Sequence, residues 1–391
     1  MDQERINSLR DALHEAGLSA LVLRLPENVV LSTGHWPMNG MSYAMFTADA
    51  GPVALLAPSC EEREVDDCWA EDKRLYVWPR LEMDDPPTFI ADNLKQLIEQ
   101  HGLADAHIGY EGSFDAVAPA HNAGEVIVPN ESSIRFLKSI LPSATWVDAT
   151  GLIHQQRATK TADEIDHLRT AHRVAGFGLE AFHDVVKPDM SEAAIAAAVY
   201  QATLEQGVEV EGVRHINVYP QVSVGENASR AWRPIVTTGP RKVRAGEIAL
   251  LEMAVCVDGF WADVTRVKAA GQPMQPLVRA FEAVRCAQQE ALDSIRAGVL
   301  AQAPHEAATT VLIDAGFEKN IIHLTGHGVG FRYHEPEPLL MPGNTLPLRA
   351  GHVCTVEPGL YDSTWGGIRL EDNVVVTAEG IENLTTTNKT L

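Results

Sequence analysis

The sequence predicts a two-domain α/β protein, and three observations carry that expectation. A chain of 391 residues, 45% hydrophobic and 21% charged, has an ordinary globular balance with room for two cores. Apolar strand segments alternate with amphipathic helices over about the first 150 residues, the pattern of a small α/β domain. Near residue 155 the texture changes, and one long helix opens a region rich in Gly, His and carboxylates. The expected domains are therefore 1–155 and 156–391.

The elements follow in order. Between residues 4 and 16, Ile6, Leu9 and Leu13 recur at helical spacing, and "LSALVLRLP" after them reads as a compact apolar strand. "TFIADNLKQLIEQHGL" is an amphipathic helix and "AHIGYEG" a short strand. The long helix is "KTADEIDHLRTAHRVAGFGLEAFHDVV", with Thr161 as N-cap and Glu164 completing a capping box. "SEAAIAAAVYQATLEQG" repeats the design, with Ser191 as cap and Gly207 as stop. A further helix over 276–297 precedes the Gly/His-rich stretch near 327. No repeat of solenoid period and no low-complexity tract interrupts this order.

Composition removes several function classes. With 31 basic and 53 acidic side chains the formal charge is −22, which repels phosphate backbones and anionic membranes, and no basic patch counters it. No nucleic-acid or membrane partner is expected. The acid surplus fits plain solubility or a saline habitat. The five cysteines, Cys60, Cys68, Cys256, Cys286 and Cys354, are scattered without CxxC spacing, which fits reduced thiols and no zinc site. Cys256 and Cys354 lie in apolar runs as packing residues. The start "MDQERINSLRD" lacks a basic region followed by an apolar core, and no apolar run reaches about 18 residues, so a cytoplasmic location is expected.

The chemistry begins at "ALLEMAVCVDGFWADVTR", which sets Glu252 and Asp263 in apolar strand-like segments joined by "VDGF". A hairpin there brings both carboxylates to one point. An isolated ionised carboxylate in apolar surroundings is costly, so each needs a partner: a metal, an arginine or a substrate. Further ligand types follow: His327 in "LTGHGVG", where glycines let backbones approach closely, His334 in "YHEPEP", Glu357 in "CTVEPGLY" and Glu371 in "GIRLEDNVVVT". Alone, Glu371 beside Arg369 reads as a structural ion pair and His327 as a loop residue. Together they suit a hard divalent cation, which takes several carboxylate oxygens and about one imidazole.

These segments, in this order and at these separations, resemble the pita-bread family of aminopeptidase P, prolidase, creatinase and methionine aminopeptidase. The resemblance covers nearly the whole chain, since "RINSLRDALHEAGLSALVLRLPENVVLSTGHW" resembles the amino-terminal domain of the creatinase and prolidase branch. It implies a creatinase/prolidase-like α/β domain followed by a pita-bread α+β catalytic domain. It also implies metal-ligand positions at Glu252, Asp263, His327, Glu357 and Glu371, and a substrate-contacting histidine at His334 that stabilises a tetrahedral intermediate. Two-domain members resemble dimers in which the small domain of one subunit borders the other's site. A homodimer is therefore expected, with "STGHWPMNG" as the segment that reaches across or, alternatively, as an internal turn.

Two departures shape the finer expectation. Glu252 stands where the family has aspartate, and its extra methylene displaces the carboxylate by roughly an ångström against a metal-site tolerance of ~0.2 Å. In "VGENASRAWRP", Trp232 stands near the place of a family histidine. An indole face attracts a delocalised cation by about 0.5–2 kcal/mol, which suggests a small cationic C–N substrate. Within the family the chain thus resembles ectoine hydrolases, which open a cyclic amidine to N-acetyl-2,4-diaminobutyrate.

That resemblance implies Glu252 as nucleophile or as base for a water, and Glu357 and His334 as proton carriers. Trp232 and His327 would contact substrate, with Arg369 or Arg332 on its carboxylate. Asp263, His327 and Glu371 would hold either a divalent metal or one another, so a cofactor is either absent or a divalent cation. The competing expectation is an Xaa-Pro metallopeptidase in which Glu252 still coordinates metal. A creatinase-like enzyme or a dimethylsulfoniopropionate lyase on the same fold is a further alternative. A non-enzymatic binding module ranks last, because all five ligand positions keep a side chain able to bind.

Overall fold

The computed structural model describes residues 2–39, 41–49, 51–113, 131–233 and 238–391. The chain falls into two compact units that part between Arg157 and Ala158.

The first unit is built on a mixed sheet. Ala20–Leu23 lies at its centre, antiparallel to Tyr43–Thr47 on one side and parallel to His107–Tyr110 on the other. Ala54–Pro58 and Asp72–Tyr76 extend the first side and Thr145–Asp148 the second. Ile6, Leu9 and Leu13 bury the inner face of the helix Gln3–Glu15, as their spacing predicts. The apolar run that follows is a strand only as far as Leu23, because Pro26 opens a short helix, Pro26–Thr33. Its amino end is closed by a distant carboxylate: Glu111 accepts from the amides of Arg24 and Leu25 and from Asn28.

Within the segment "STGHWPMNG" all but Gly40 belongs to the described residues. The backbone there wraps a second buried acid. Glu61 lies 2.9 Å from His35 Nε2 and accepts from the amides of Met38 and Asn39.

The second unit opens with the helix Ala162–Val185, whose capping box of Thr161 and Glu164 is formed as expected. Ser191 caps Glu192–Gly207 by accepting from the Ala194 amide. That helix ends at Gly207 as expected; a Cβ there would come within 2.6 Å of Ile216 Cδ1 and 2.8 Å of Val174 Cγ1. Close packing, not a left-handed turn, requires the glycine. The helix expected over 276–297 runs Gln275–Ser294.

Two ten-residue strands, Ile248–Val257 and Phe260–Ala269, form the predicted hairpin. Asp258 (φ 50°) and Gly259 (φ 93°) are both left-handed, the signature of the two-residue turn whose twist matches its strands. Ile216–Val224 adds a third antiparallel strand. Leu251, Met253 and Val255 are fully buried in a cluster with Val174, Leu179 and Val199 of the two preceding helices. Burying each such side chain contributes about 1.5–3 kcal/mol, and a one-residue slip would turn all of them over. That apolar face consigns Glu252 and Asp263 to the opposite one.

A second sheet runs in the order Glu335–Leu340, Gly326–Gly328, Val353–Val356, Asp372–Val376, Ile381–Asn383. The glycines flanking His327 are required by contact: a Cβ on Gly326 would lie 2.0 Å from Thr355 O, and one on Gly328 2.0 Å from Glu337 O. Cys256 and Cys354 are buried and form no disulfide. Among the described residues no helix is long and apolar enough to cross a membrane.

Candidate active site

The hairpin register sets Glu252 opposite Thr265 and Ala254 opposite Asp263, so the two acids share one face on neighbouring strands. The partner that a buried Glu252 requires is an arginine. Its Oε1 accepts from the Tyr333 hydroxyl at 2.5 Å, and its Oε2 accepts from the Thr265 hydroxyl at 2.5 Å and from Arg369 Nη2. Arg369 also donates to Thr265 Oγ1 (2.9 Å), to the Ala231 carbonyl (2.7 Å) and to the Tyr361 hydroxyl (3.1 Å). Its fork is thereby spent inside the protein. Its closest ion pair is with Glu252 rather than with the neighbouring Glu371 that its sequence position suggests, its Nε also lies 3.9 Å from Glu357 Oε2, and it offers little to a substrate carboxylate.

His327 faces this pair from the second sheet. Its Nδ1 lies 2.9 Å from the Gly328 carbonyl and donates there, so that in the neutral ring Nε2 is a lone pair 3.4 Å from Asp263 Oδ2 and 3.5 Å from Glu357 Oε1. Such a convergence of electron pairs repels itself unless a cation or shared protons lie between them. Asp263 is fixed by Asn373, which accepts from its amide at 3.0 Å and donates to its carbonyl at 2.6 Å. Its own Oδ1 is buried without a hydrogen-bond partner, as is Nδ1 of His334. Glu371 Oε2 lies 2.7 Å from Thr265 Oγ1, so the single Thr265 proton is contested between Glu252 and Glu371.

Electrostatics sort three of the acids. Burial pushes Glu252 upward, but the Arg369 guanidinium, with hydrogen bonds from Thr265 and Tyr333, outweighs it and holds the carboxyl below its ordinary value. Burial and the negative neighbours Glu371, Glu252 and Glu357 drive Asp263 well above the usual range. Burial, Glu252 and Glu357 do the same to Glu371. Burial, reinforced by His327, Arg332 and Arg369, keeps His334 neutral.

These residues fit a divalent cation. Ligand atoms come within 4.8 Å of one another in three clusters: Asp263, His327 and His334; His327, Glu357 and Glu371; and Glu252, Asp263 and Glu371. Hard oxygens with one presented imidazole, and an acid oxygen lacking any donor, are the donor set of such an ion.

The expected site residues thus largely converge: Glu252, Asp263, His327, His334, Glu357, Arg369 and Glu371 occupy one centre. Arg332 is buried in the same turn as Tyr333 and His334, its amide donating to Glu335. Trp232 is 39% exposed, and the Arg233 guanidinium covers its ring at 5.5 Å. Its neighbour Ala231 touches the centre through Arg369. Sequence reasoning missed Thr265, Tyr333, Tyr361, Asn373 and His323, the last 2.8 Å from the Tyr361 hydroxyl. Thr265 had a signal, since a two-residue turn at 258–259 pairs it with Glu252. Tyr333 had none beyond adjacency to His334.

Fold and site together define a two-domain pita-bread hydrolase. Residues 166–378, more than half of the chain, match the metallopeptidase family M24, and residues 5–159 match the creatinase/prolidase N-terminal domain. The chain belongs to metallopeptidase family M24. It is 29% identical over 345 residues to the Xaa-Pro dipeptidase of Lactobacillus helveticus, covering 88% of this chain and 85% of that one. It is 27% identical over 399 residues to the Xaa-Pro dipeptidase of Lactobacillus delbrueckii subsp. lactis, covering 99% and 98%. An Xaa-Pro dipeptidase from Bacillus anthracis shares the fold, with a TM-score of 0.80, 22% identity, and 99% and 98% of the two chains aligned.

The pita-bread resemblance therefore holds, and its ectoine branch is corrected. Two relatives that match 88% and 99% of this chain are Xaa-Pro dipeptidases. The geometry supplies the physical reason: Glu252, expected as a nucleophile for an amidine, has both oxygens bound by Tyr333, Thr265 and Arg369. The indole expected to receive a substrate cation already carries Arg233.

Proposed function

We propose that this protein is a metal-dependent peptidase that hydrolyses the peptide bond of short substrates, with Xaa-Pro dipeptides as the class. The observation that carries the reading is the meeting of Asp263, His327, Glu357 and Glu371, with the His327 Nε2 lone pair presented and Asp263 Oδ1 lacking a donor. The names of the two relatives supply the substrate class. Asp263, His327, Glu357 and Glu371 would hold the cation, which supplies Lewis-acid polarisation when bound.

The remaining steps fall to this chain's own groups. His334, kept neutral by burial, gives a hydrogen bond rather than a charge to the oxygen that becomes negative as the carbonyl is attacked. Glu357 takes the proton of the attacking water and returns it to the departing amine nitrogen. A substrate carboxylate would need a donor other than Arg369, which is committed to Glu252.

The reading also has the protein work as a homodimer, with segment 32–40 as the candidate contact. Support comes from the way Glu61 gives that loop a fixed shape, with Met38 presented outward.

A panel of Ala-Pro, Ala-Ala and Ala-Pro-Ala, incubated with the Mn²⁺-loaded protein and followed by mass spectrometry, tests the substrate class. Release of proline from Ala-Pro, with the other two cleaved far more slowly, supports it. Equal cleavage of Ala-Ala overturns the proline preference.

A further inference from the structure

We infer that this centre takes one divalent cation, centred on His327, rather than a pair. The inference rests on the metallopeptidase reading and deepens it.

The three ligand clusters are not equivalent. His327 belongs to two of them, with Asp263 and His334 in one and with Glu357 and Glu371 in the other. These share one imidazole, that of His327, and describe one neighbourhood. The third, Glu252 with Asp263 and Glu371, contains no imidazole and exists only through Glu252. A second ion would have to be held there.

Glu252 is already engaged from three directions. The Tyr333 hydroxyl comes from the turn beside His334, the Thr265 hydroxyl from the partner strand of the hairpin, and the Arg369 guanidinium from the strand Gly366–Arg369. Arg369 is itself buried, and its other donors go to Thr265, Ala231 and Tyr361. A cation that drew Glu252 away would leave a buried guanidinium without its counter-charge and would place a second positive charge beside it. A cation that shared Oε2 would meet the same guanidinium at hydrogen-bond range. The Thr265 hydroxyl binds the adjoining Glu371 oxygen as well, so two of the three acids in this cluster are tied to the same side chain.

Around His327 the guanidinium stands farther off, with Arg369 Nε 3.9 Å from Glu357 Oε2. Nε2 faces Asp263 and Glu357 directly, and Asp263 Oδ1 has no hydrogen-bond partner. Arginine therefore does at the Glu252 end what a second metal would otherwise do: it balances the carboxylate. The ion centred on His327 keeps Asp263, Glu357 and Glu371 as its oxygen donors.

The test counts metal rather than turnover. Protein stripped with chelator is dialysed against Mn²⁺, metal per chain is measured by plasma emission, and the electron paramagnetic resonance spectrum is recorded. The inference expects one Mn²⁺ per chain and the hyperfine pattern of an isolated ion. It expects Glu252→Gln to bind one Mn²⁺ as well, with the dissociation constant changed by no more than about 100-fold. Two Mn²⁺ per chain with a spin-coupled spectrum overturns the inference and leaves the peptidase reading standing. Loss of Mn²⁺ from a Glu252→Gln variant whose circular dichroism matches wild type also overturns it. Where that variant does not fold, the wild-type count decides alone. A wild type that binds no Mn²⁺ removes the metallopeptidase reading itself.

Discussion

Glu252 and Arg369, 117 positions apart in the chain, meet as a buried ion pair whose carboxylate also holds the hydroxyls of Thr265 and Tyr333. Removing one member of such a pair strands the other charge, which costs about 3–5 kcal/mol. Arg369→Met should therefore lose about that much stability in urea denaturation, and Glu252→Gln with Arg369→Met should lose well under the sum of the single losses. A coupling of about 1–3 kcal/mol is expected. Strictly additive losses would show that the pair does not interact in solution.

Metal should report through His327, whose Nε2 is the imidazole donor of the centre. An ion bound only by the native state, at a hundredfold excess over its dissociation constant, stabilises by about 2.7 kcal/mol. Mn²⁺ should raise the melting temperature of wild type, chelator should reverse the rise, and His327→Ala should respond to neither. An equal rise in the variant places the ion elsewhere.

Acid should weaken the fold partly through His352. Burial, with Lys160 and Arg349 nearby, lowers this ring from 6.5 to about 4, while an unfolded histidine takes its proton near 6.5. The unfolded chain thus binds the extra proton between those values. The stability due to neutral His352 is complete above 6.5 and is lost as pH falls towards about 4, amounting to roughly 3 kcal/mol. His352→Gln should show a shallower loss across that window in denaturant midpoints. Parallel pH profiles would remove His352 from the account.

Assembly is checked by sizing with light scattering, which should give twice the 42.5 kDa chain mass. Met38, exposed on the segment that Glu61 shapes, is the place to disturb it. Met38→Asp should shift the equilibrium towards monomer. A monomeric wild type at micromolar concentration contradicts the dimer.

Much of the centre was legible because its geometry is local. The turn at Asp258 and Gly259 sets the register that puts Glu252 against Thr265 and Asp263 beside them, and the glycines around His327 mark a close approach of strands. Thr161 and Glu164 announce their helix in the same way. The eight-residue helix Pro26–Thr33 was missed because nearly all of it is buried, and a short apolar run has no period to separate helix from strand. Arg369 was legible as a site residue but not as the partner of Glu252, since no local pattern joins positions so far apart. That gap misdirected the functional branch: a longer acid reads as a nucleophile until the guanidinium that answers its charge is seen. Glu61 and Glu111, each holding a loop from within, are tertiary contacts of the same kind.

The most direct test of the peptidase reading is proline release from Ala-Pro by a single preparation taken through three states: metal-stripped, reloaded with Mn²⁺, and stripped again. The account predicts no release in the first, steady release in the second and none in the third, with His327→Ala inactive throughout. Undiminished release by the stripped protein, or none after one Mn²⁺ per chain has been bound, would contradict it.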